Sequence, residues 1–99
     1  MAELNSTIHQ PVRLQIMASL VTLKSDDALD FTTLRDLLEV TDGNLGAHLR
    51  KLEEEGYIKI NKEFVDRKPR SFISVTPLGR SVFQEHVEAL EAILNSREV

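Results

Sequence analysis

Thr41-Asp42-Gly43-Asn44-Leu45-Gly46-Ala47-His48-Leu49-Arg50-Lys51-Leu52-Glu53-Glu54-Glu55-Gly56 is the stretch from which the rest of the chain can be read, because it shows the start, the stop and both faces of one helix. Thr41 carries a hydroxyl suited to capping the first turn, Asp42 sets a carboxylate at the positive end of the helix dipole, and Gly56 fits the left-handed position past the last turn. These signals bracket a helix of about fourteen residues. Leu45, Leu49 and Leu52 recur at helical spacing and make one narrow apolar stripe that must face a core. At about 100° per residue, Gly43, Ala47, Arg50 and Lys51 lie roughly opposite the stripe, with Asn44 to one side. The first two turns of this outer face are therefore small or amide-bearing, and the third is basic. A glycine inside a helix costs about 1 kcal/mol relative to alanine, and this helix carries Gly43 and Gly46 in its first half. Such a cost points to a large body approaching the backbone; a solvated face of poor helix formers is the alternative.

After Gly56 the hydrophobic period changes from helical to two. Ile58 and Ile60 alternate with Lys59 and Asn61, Lys62-Glu63-Phe64-Val65 leads into Asp66-Arg67-Lys68-Pro69-Arg70, and Ser71-Phe72-Ile73-Ser74-Val75 forms the return strand of a hairpin. Pro69 cannot extend a central strand, so the expected tip holds Arg67, Lys68 and Arg70 around it, three cations with almost no apolar cover. Alone, such a tip is a soluble loop. Directly after a helix with a small-residue face, it reads as a binding element.

The run His48-Leu49-Arg50-Lys51-Leu52-Glu53, then Glu55-Gly56-Tyr57-Ile58, the basic hairpin and Thr76-Pro77-Leu78-Gly79-Arg80 together resemble the winged-helix transcriptional regulators of the MarR and ArsR kind, over nearly the whole chain. The likeness is strongest to small single-domain regulators whose recognition helix opens with a Thr-Asp-Gly-Asn-Leu pattern, here Thr41 to Leu45, and whose wing carries Arg-Lys-Pro-Arg, here Arg67 to Arg70. The resemblance implies a mainly α fold with a small β-hairpin wing, a winged helix-turn-helix occupying residues 1–99 as one domain. Its helix-turn-helix would span about 32–55, the wing about 57–75 and a long C-terminal dimerisation helix about 77–95. It also implies a recognition helix in the major groove of duplex DNA and a wing along the minor groove or backbone. The expected contacts on the helix are Thr41, Gly43, Asn44, Ala47, His48, Arg50 and Lys51. Asn44 and Ala47 would meet base edges, an amide suiting adenine and a methyl suiting the thymine methyl, while Thr41, Arg50 and Lys51 would hold phosphates. Arg67, Lys68 and Arg70 would grip the backbone or minor groove. His48 lies on the flank of the Leu45 and Leu49 stripe, where it could donate to a phosphate or hydrogen-bond within the domain.

Composition sets bounds around this reading. Ninety-nine residues support one domain with a modest core, and a content of 41% hydrophobic with 28% charged residues is that of a soluble globular protein. The absence of cysteine excludes disulfides, thiolate metal sites and thiol redox sensing. Met1 to Thr7 lacks a basic region followed by an apolar run, and no stretch is apolar enough to span a membrane, so a cytoplasmic chain is expected. A net charge of −4 runs against nucleic-acid binding at first sight. Its distribution answers that objection: residues 1–40 carry three basic and six acidic side chains, residues 41–75 seven and six, and residues 76–99 two and four. Within the middle segment Glu53, Glu54 and Glu55 sit at the far end of the helix, away from its small-residue half.

Taken in order, Ile8, Val12, Ile16, Leu20 and Leu23, widened by Met17 and Val21, predict a first helix that Pro11 begins and that runs to about Lys24. His9 precedes it in a surface or packing role. Ser25 to Asp30 reads as a loop, with Phe31 expected in a short strand beside the hairpin. Thr32 or Thr33 is expected to cap a second helix, with Asp36 completing a capping box and Leu34, Leu37 and Leu38 turned inward. Glu39-Val40-Thr41 then joins two helices at helix-turn-helix spacing. Thr76 and Pro77 open the last helix, whose stripe Phe83, Val87, Leu90 and Leu94, flanked by Val82, Ala89 and Ile93, outruns so small a core. A second copy of the chain is the expected cover, giving a homodimer, with a helix folded back on the first helix as the alternative. His86, between Glu85 and Glu88, reads as solvated.

No Ser-His-Asp set with motif support, phosphate-cradling glycine loop or metal box is present, so neither an enzyme, a metal nor a cofactor is expected. The sequence reading is a homodimeric, sequence-specific duplex-DNA-binding regulator that represses by occupying a promoter. No effector pocket is legible. The alternative is a winged-helix protein-interaction module without sequence-specific DNA binding, which the acidic total favours.

Overall fold

Each helix opens on a side chain that accepts a backbone N–H from its first turn. The computed structural model describes residues 3–96 and contains α1 (Pro11–Val21), β1 (Leu29–Asp30), α2 (Phe31–Leu38), α3 (Asp42–Glu54), β2 (Ile58–Val65), β3 (Lys68–Val75) and α4 (Pro77–Asn95). The caps are Gln10, which accepts from the N–H of Arg13 at 2.8 Å, Asp30 from Thr33 at 2.7 Å, Thr41 from Asn44 at 3.1 Å and Thr76 from Gly79 at 2.9 Å. Pro11 and Pro77 occupy first-turn positions, where a missing N–H goes unnoticed.

The cap of α2 is Asp30 rather than Thr32 or Thr33: its ionised carboxylate is the stronger acceptor and lies early enough to start the helix at Phe31. The short strand is accordingly Leu29–Asp30, which pairs with Ile73 and Phe72, and Phe31 is already helical. Leu37 does not turn inward but is 62% exposed. Phe31, Leu34 and Leu38 define the inward side of α2, and Leu37 lies about 60° off Leu34 in the opposite rotational sense. Helix α1 ends at Val21, short of Lys24. Beyond it the guanidinium of Arg80 donates to the carbonyls of Val21 and Leu23, at 3.0 and 2.7 Å, so a side chain from α4 takes the place of a further helical turn.

The sheet is antiparallel in the order β1-β3-β2. Its hairpin is longer and its turn tighter than expected, because Asp66 and Arg67 both take positive φ, 52° and 66°, and form a two-residue turn whose twist matches the strands. Lys68, Pro69 and Arg70 are therefore strand residues rather than turn residues. Pro69 sits opposite Phe64, the second pair from the turn, where alternation places a non-hydrogen-bonded pair. Partner β1 reaches only as far as Phe72, so the other edge of β3 is open beside Pro69 and no ladder bond is lost.

Ile16, Met17 and Leu20 of α1, Leu34 of α2, Leu45, Leu49 and Leu52 of α3, and Ile58, Ile73 and Val75 of the sheet form one core, joined by Ile8 from ahead of α1. Gly79 brings the first turn of α4 against the sheet: a methyl group there would collide with the carbonyl of Tyr57, which already accepts the N–H of Thr76. Val82 and Phe83 pack on this core, while further along α4 Ile93 is 41% and Leu94 59% exposed.

His86 is fully buried, contrary to its reading as solvated. The segment ahead of α1 crosses over it: the N–H of Asn5 donates to His86 Nδ1 at 2.9 Å, and His86 Nε2 lies 3.4 Å from His9 Nδ1. The Asn5 side chain donates to the Tyr57 hydroxyl at 2.9 Å and accepts the N–H groups of Thr7 and Ile8. Because an N–H faces Nδ1, His86 is an acceptor there and carries its proton on Nε2. Burial, and secondarily the nearby His9, hold its pKa below the ordinary 6.5.

Candidate nucleic-acid interface

Helix α3 buries Leu45, Leu49 and Leu52 and leaves Thr41, Asp42, Gly43, Asn44, Ala47, Arg50 and Lys51 exposed, with Gly46 and His48 half-buried. This is the division its sequence predicts, over thirteen residues and with Gly56 at φ 81°. A Cβ built on Gly43 or Gly46 would meet nothing within 4 Å. Nothing in the fold requires either glycine, so the helix carries their propensity cost without an internal return. Thr41 accepts a backbone N–H, and its own O–H is left to donate outward.

Arg35, which sequence reasoning passed over, ties α2 to the start of α3 through Asp42 at 2.8 Å and also reaches Asp36 at 3.0 Å. It thereby neutralises Asp42, the carboxylate in the first turn of α3. The signal was present as a lone cation in α2, but only the helix-turn-helix geometry brings it to Asp42. Lys51 pairs with Glu55 at 3.5 Å, one helical turn away. Exposed pairs of this kind are worth only about 0.3–0.5 kcal/mol, so the ammonium is readily released to another anion. Arg50 lines an open cleft of about 580 Å³ between α3 and the hairpin, with Gly46, Leu49, Glu53, Ile60 and Lys62 among its walls.

Of the two roles open for His48, the structure supplies the internal partner. Its Nδ1 lies 3.2 Å from Arg13 Nη1, and since a guanidinium can only donate, the imidazole accepts. Burial, then the charge of Arg13, lowers its pKa below the ordinary 6.5.

The three hairpin cations are not equivalent. Arg67, in the turn, and Lys68, at the start of β3, are exposed and have no ion-pair partner among the described residues. Arg70 instead donates to Asp30 at 3.1 Å, and so fastens the hairpin to the cap of α2. Its expected projection from the tip is thus corrected. The Asp30 carboxyl sits below its ordinary value chiefly through hydrogen bonding to Thr33, with Arg70 adding its charge. Among the described residues no group of His, Asp and Glu side chains is placed to hold a metal ion, and no helix is long and apolar enough to cross a membrane.

The geometry agrees with what the chain resembles. Residues 12–94 match the family model described as a winged helix DNA-binding domain. An uncharacterised protein of Methanocaldococcus jannaschii is 36% identical over 76 residues, covering 77% of this chain and 79% of its own length. A solved structure of a transcriptional regulator homologue from Pyrococcus horikoshii OT3 superposes with a TM-score of 0.85 at 30% identity, over 94% of this chain and 89% of that one. A MarR-family transcriptional regulator from Enterococcus faecalis V583 shares the fold, with a TM-score of 0.69 at 24% identity over 94% of this chain and 77% of that one.

Proposed function

Because the chain belongs to the winged helix DNA-binding domain family, with the fold of MarR-family regulators, we propose that it is a sequence-specific duplex-DNA-binding repressor that acts as a cytoplasmic homodimer, with no catalytic activity. The observation that carries this reading is the outer face of α3, which is exposed and small and whose Gly43 and Gly46 meet no other part of the described fold, together with Arg67 and Lys68 of the hairpin, which have no ion-pair partner among the described residues.

On this reading the first turns of α3 enter the major groove. Asn44 presents an amide to an adenine edge and Ala47 a methyl to thymine, and Gly43 lets the backbone come close. Thr41, Arg50 and Lys51 hold phosphates, Arg67 and Lys68 follow the backbone or minor groove as a wing, and Arg70 sets the wing's position through Asp30. His48 contributes from the flank while tied to Arg13. Glu53, Glu54 and Glu55 lie at the far end of α3 from its first turns and Asp42 is paired with Arg35, which keeps the positive field local.

A single recognition helix supplies too few contacts for a genomic site, and the exposed Ile93 and Leu94 with the half-buried Val87 and Leu90 and Phe83 on α4 offer a seam for a second copy. A two-fold pair would place its recognition helices about 34 Å apart and read half-sites about 10 bp between centres. Selection of bound sequences from random duplex DNA tests both parts. Recovery of a near-palindrome with that spacing, bound with an affinity that falls steeply with salt, is expected. Recovery of no sequence, together with salt-insensitive capture of a protein partner, would favour the protein-interaction reading that the net charge of −4 supports.

A further inference from the structure

Among the described residues the most exposed large apolar side chain is Phe64, at 79%, and it lies near the hairpin tip where the core has already ended. Side chains alternate along β2, so Phe64 shares a face with Ile58 and Ile60, which point to the core, and with Lys62, which lines the cleft beside α3. From Ile60 the strand runs on for about 14 Å before reaching Phe64. The core-facing side of the sheet thus continues past the core, on the side of the recognition helix, and ends in an aromatic ring. The residue opposite is Pro69, a rigid apolar partner.

The surroundings of the ring identify what it meets. Lys62 precedes it on the same face and Arg67 follows in the turn, while Lys68, directly opposite Val65, lies on the other face; Arg67 and Lys68 have no ion-pair partner among the described residues. Glu63 points to the other face, across from Arg70, and Val65 also lies there, leaving Asp66 as the one acid in the turn. A protein-docking patch would be broad and contiguous, whereas here a single ring and a proline stand between Lys62 on the same face and Arg67 in the turn. That pattern fits a narrow apolar slot walled by phosphates.

We propose that Phe64 is an apolar wedge that enters the minor groove beside the α3 contact and opens a base step, bending the duplex. This rests on the DNA-binding reading above and adds a determinant of specificity to it. Pyrimidine–purine steps open most easily, so a TA or CA step would be selected beneath the wing at a place where no side chain reads a base edge.

The chain contains no tryptophan, which makes F64W a reporter as well as a conservative variant. The probe is the best duplex recovered by the selection, labelled at both ends for energy transfer. Wild-type protein is expected to shorten the end-to-end distance, and the indole of F64W to lose emission as it stacks on a base. F64A is expected to bind about tenfold to a hundredfold more weakly without bending the duplex, since base–aromatic stacking is worth that much. Its salt dependence should equal that of the wild type because no phosphate contact is lost. Equal melting temperatures for all three proteins would exclude a folding defect. Equal bending by F64A, or unchanged F64W emission on binding, overturns the wedge and leaves the DNA-binding reading standing. No binding by the wild type to any duplex overturns both.

Discussion

Helices α3 and α4 begin alike, each with a threonine cap and a glycine in the first turn, yet the two glycines answer to different neighbours. Gly79 lies against the carbonyl of Tyr57 and has no room for a side chain, whereas Gly43, and Gly46 one turn on, face open space. In α4 the inside of the protein dictates the residue. In α3 nothing inside does, which directs attention to what arrives from outside. The cations divide in the same way: Arg70 and Arg80 are spent on Asp30 and on the end of α1, while Arg67 and Lys68 have no described partner.

Gly79→Ala should have the largest effect on the fold. Its methyl must push α4 off the sheet, so a loss of about 1–3 kcal/mol is expected, seen as a lower melting temperature. The opposite sign is expected for Gly43→Ala with Gly46→Ala, which should stabilise the free domain by up to about 2 kcal/mol while weakening DNA binding. A domain destabilised by that pair would show that α3 needs its glycines internally and would erase the distinction between the two helices. A subtler separation concerns the wing. Replacing Arg67 and Lys68 by alanine should leave stability unchanged and reduce the slope of log affinity against log salt by about 1.8, or about 0.9 for each phosphate contact. An unchanged slope would remove the wing from the interface.

The smallest effect concerns the buried histidine of α4. The pKa of His86 is depressed when folded, so the unfolded chain takes up a proton near 6.5 that the folded chain refuses. Stability contributed by the neutral ring is therefore present above pH 6.5 and declines as the pH falls through the lower folded value, and His48 acts in the same direction. Denaturant titrations across this range should show a shallower decline in His86→Gln. An identical decline would mean that His86 is not the group responsible.

Much of α3 was legible because its signals are local: a cap, three leucines at helical spacing and a glycine stop all lie within sixteen residues of one another. The winged-helix order was legible for the same reason, as a succession of local periods. What escaped depends on distant partners or on competition between equivalent neighbours. His86 looked solvated between two glutamates, and its burial comes from Asn5, 81 positions away. The early end of α1 depends on Arg80, 57 and 59 positions from the carbonyls it serves. Asp30, Thr32 and Thr33 are all competent caps, and pairing of Asp30 with Phe72 decided among them by fixing where the strand stops. The hairpin turn was read too wide because Asp66-Arg67 lacks the glycine that usually announces a two-residue turn.

Ala47→Glu tests most directly the claim that the small-residue face of α3 is where DNA lies. The position is exposed and opposite Leu45, Leu49 and Leu52, so the variant should melt at the wild-type temperature. A carboxylate there would meet phosphates and base-edge acceptors in the groove, and DNA binding should be abolished. An unchanged melting temperature with no measurable binding to the selected duplex is the predicted result; binding at full affinity would contradict the assignment of that face.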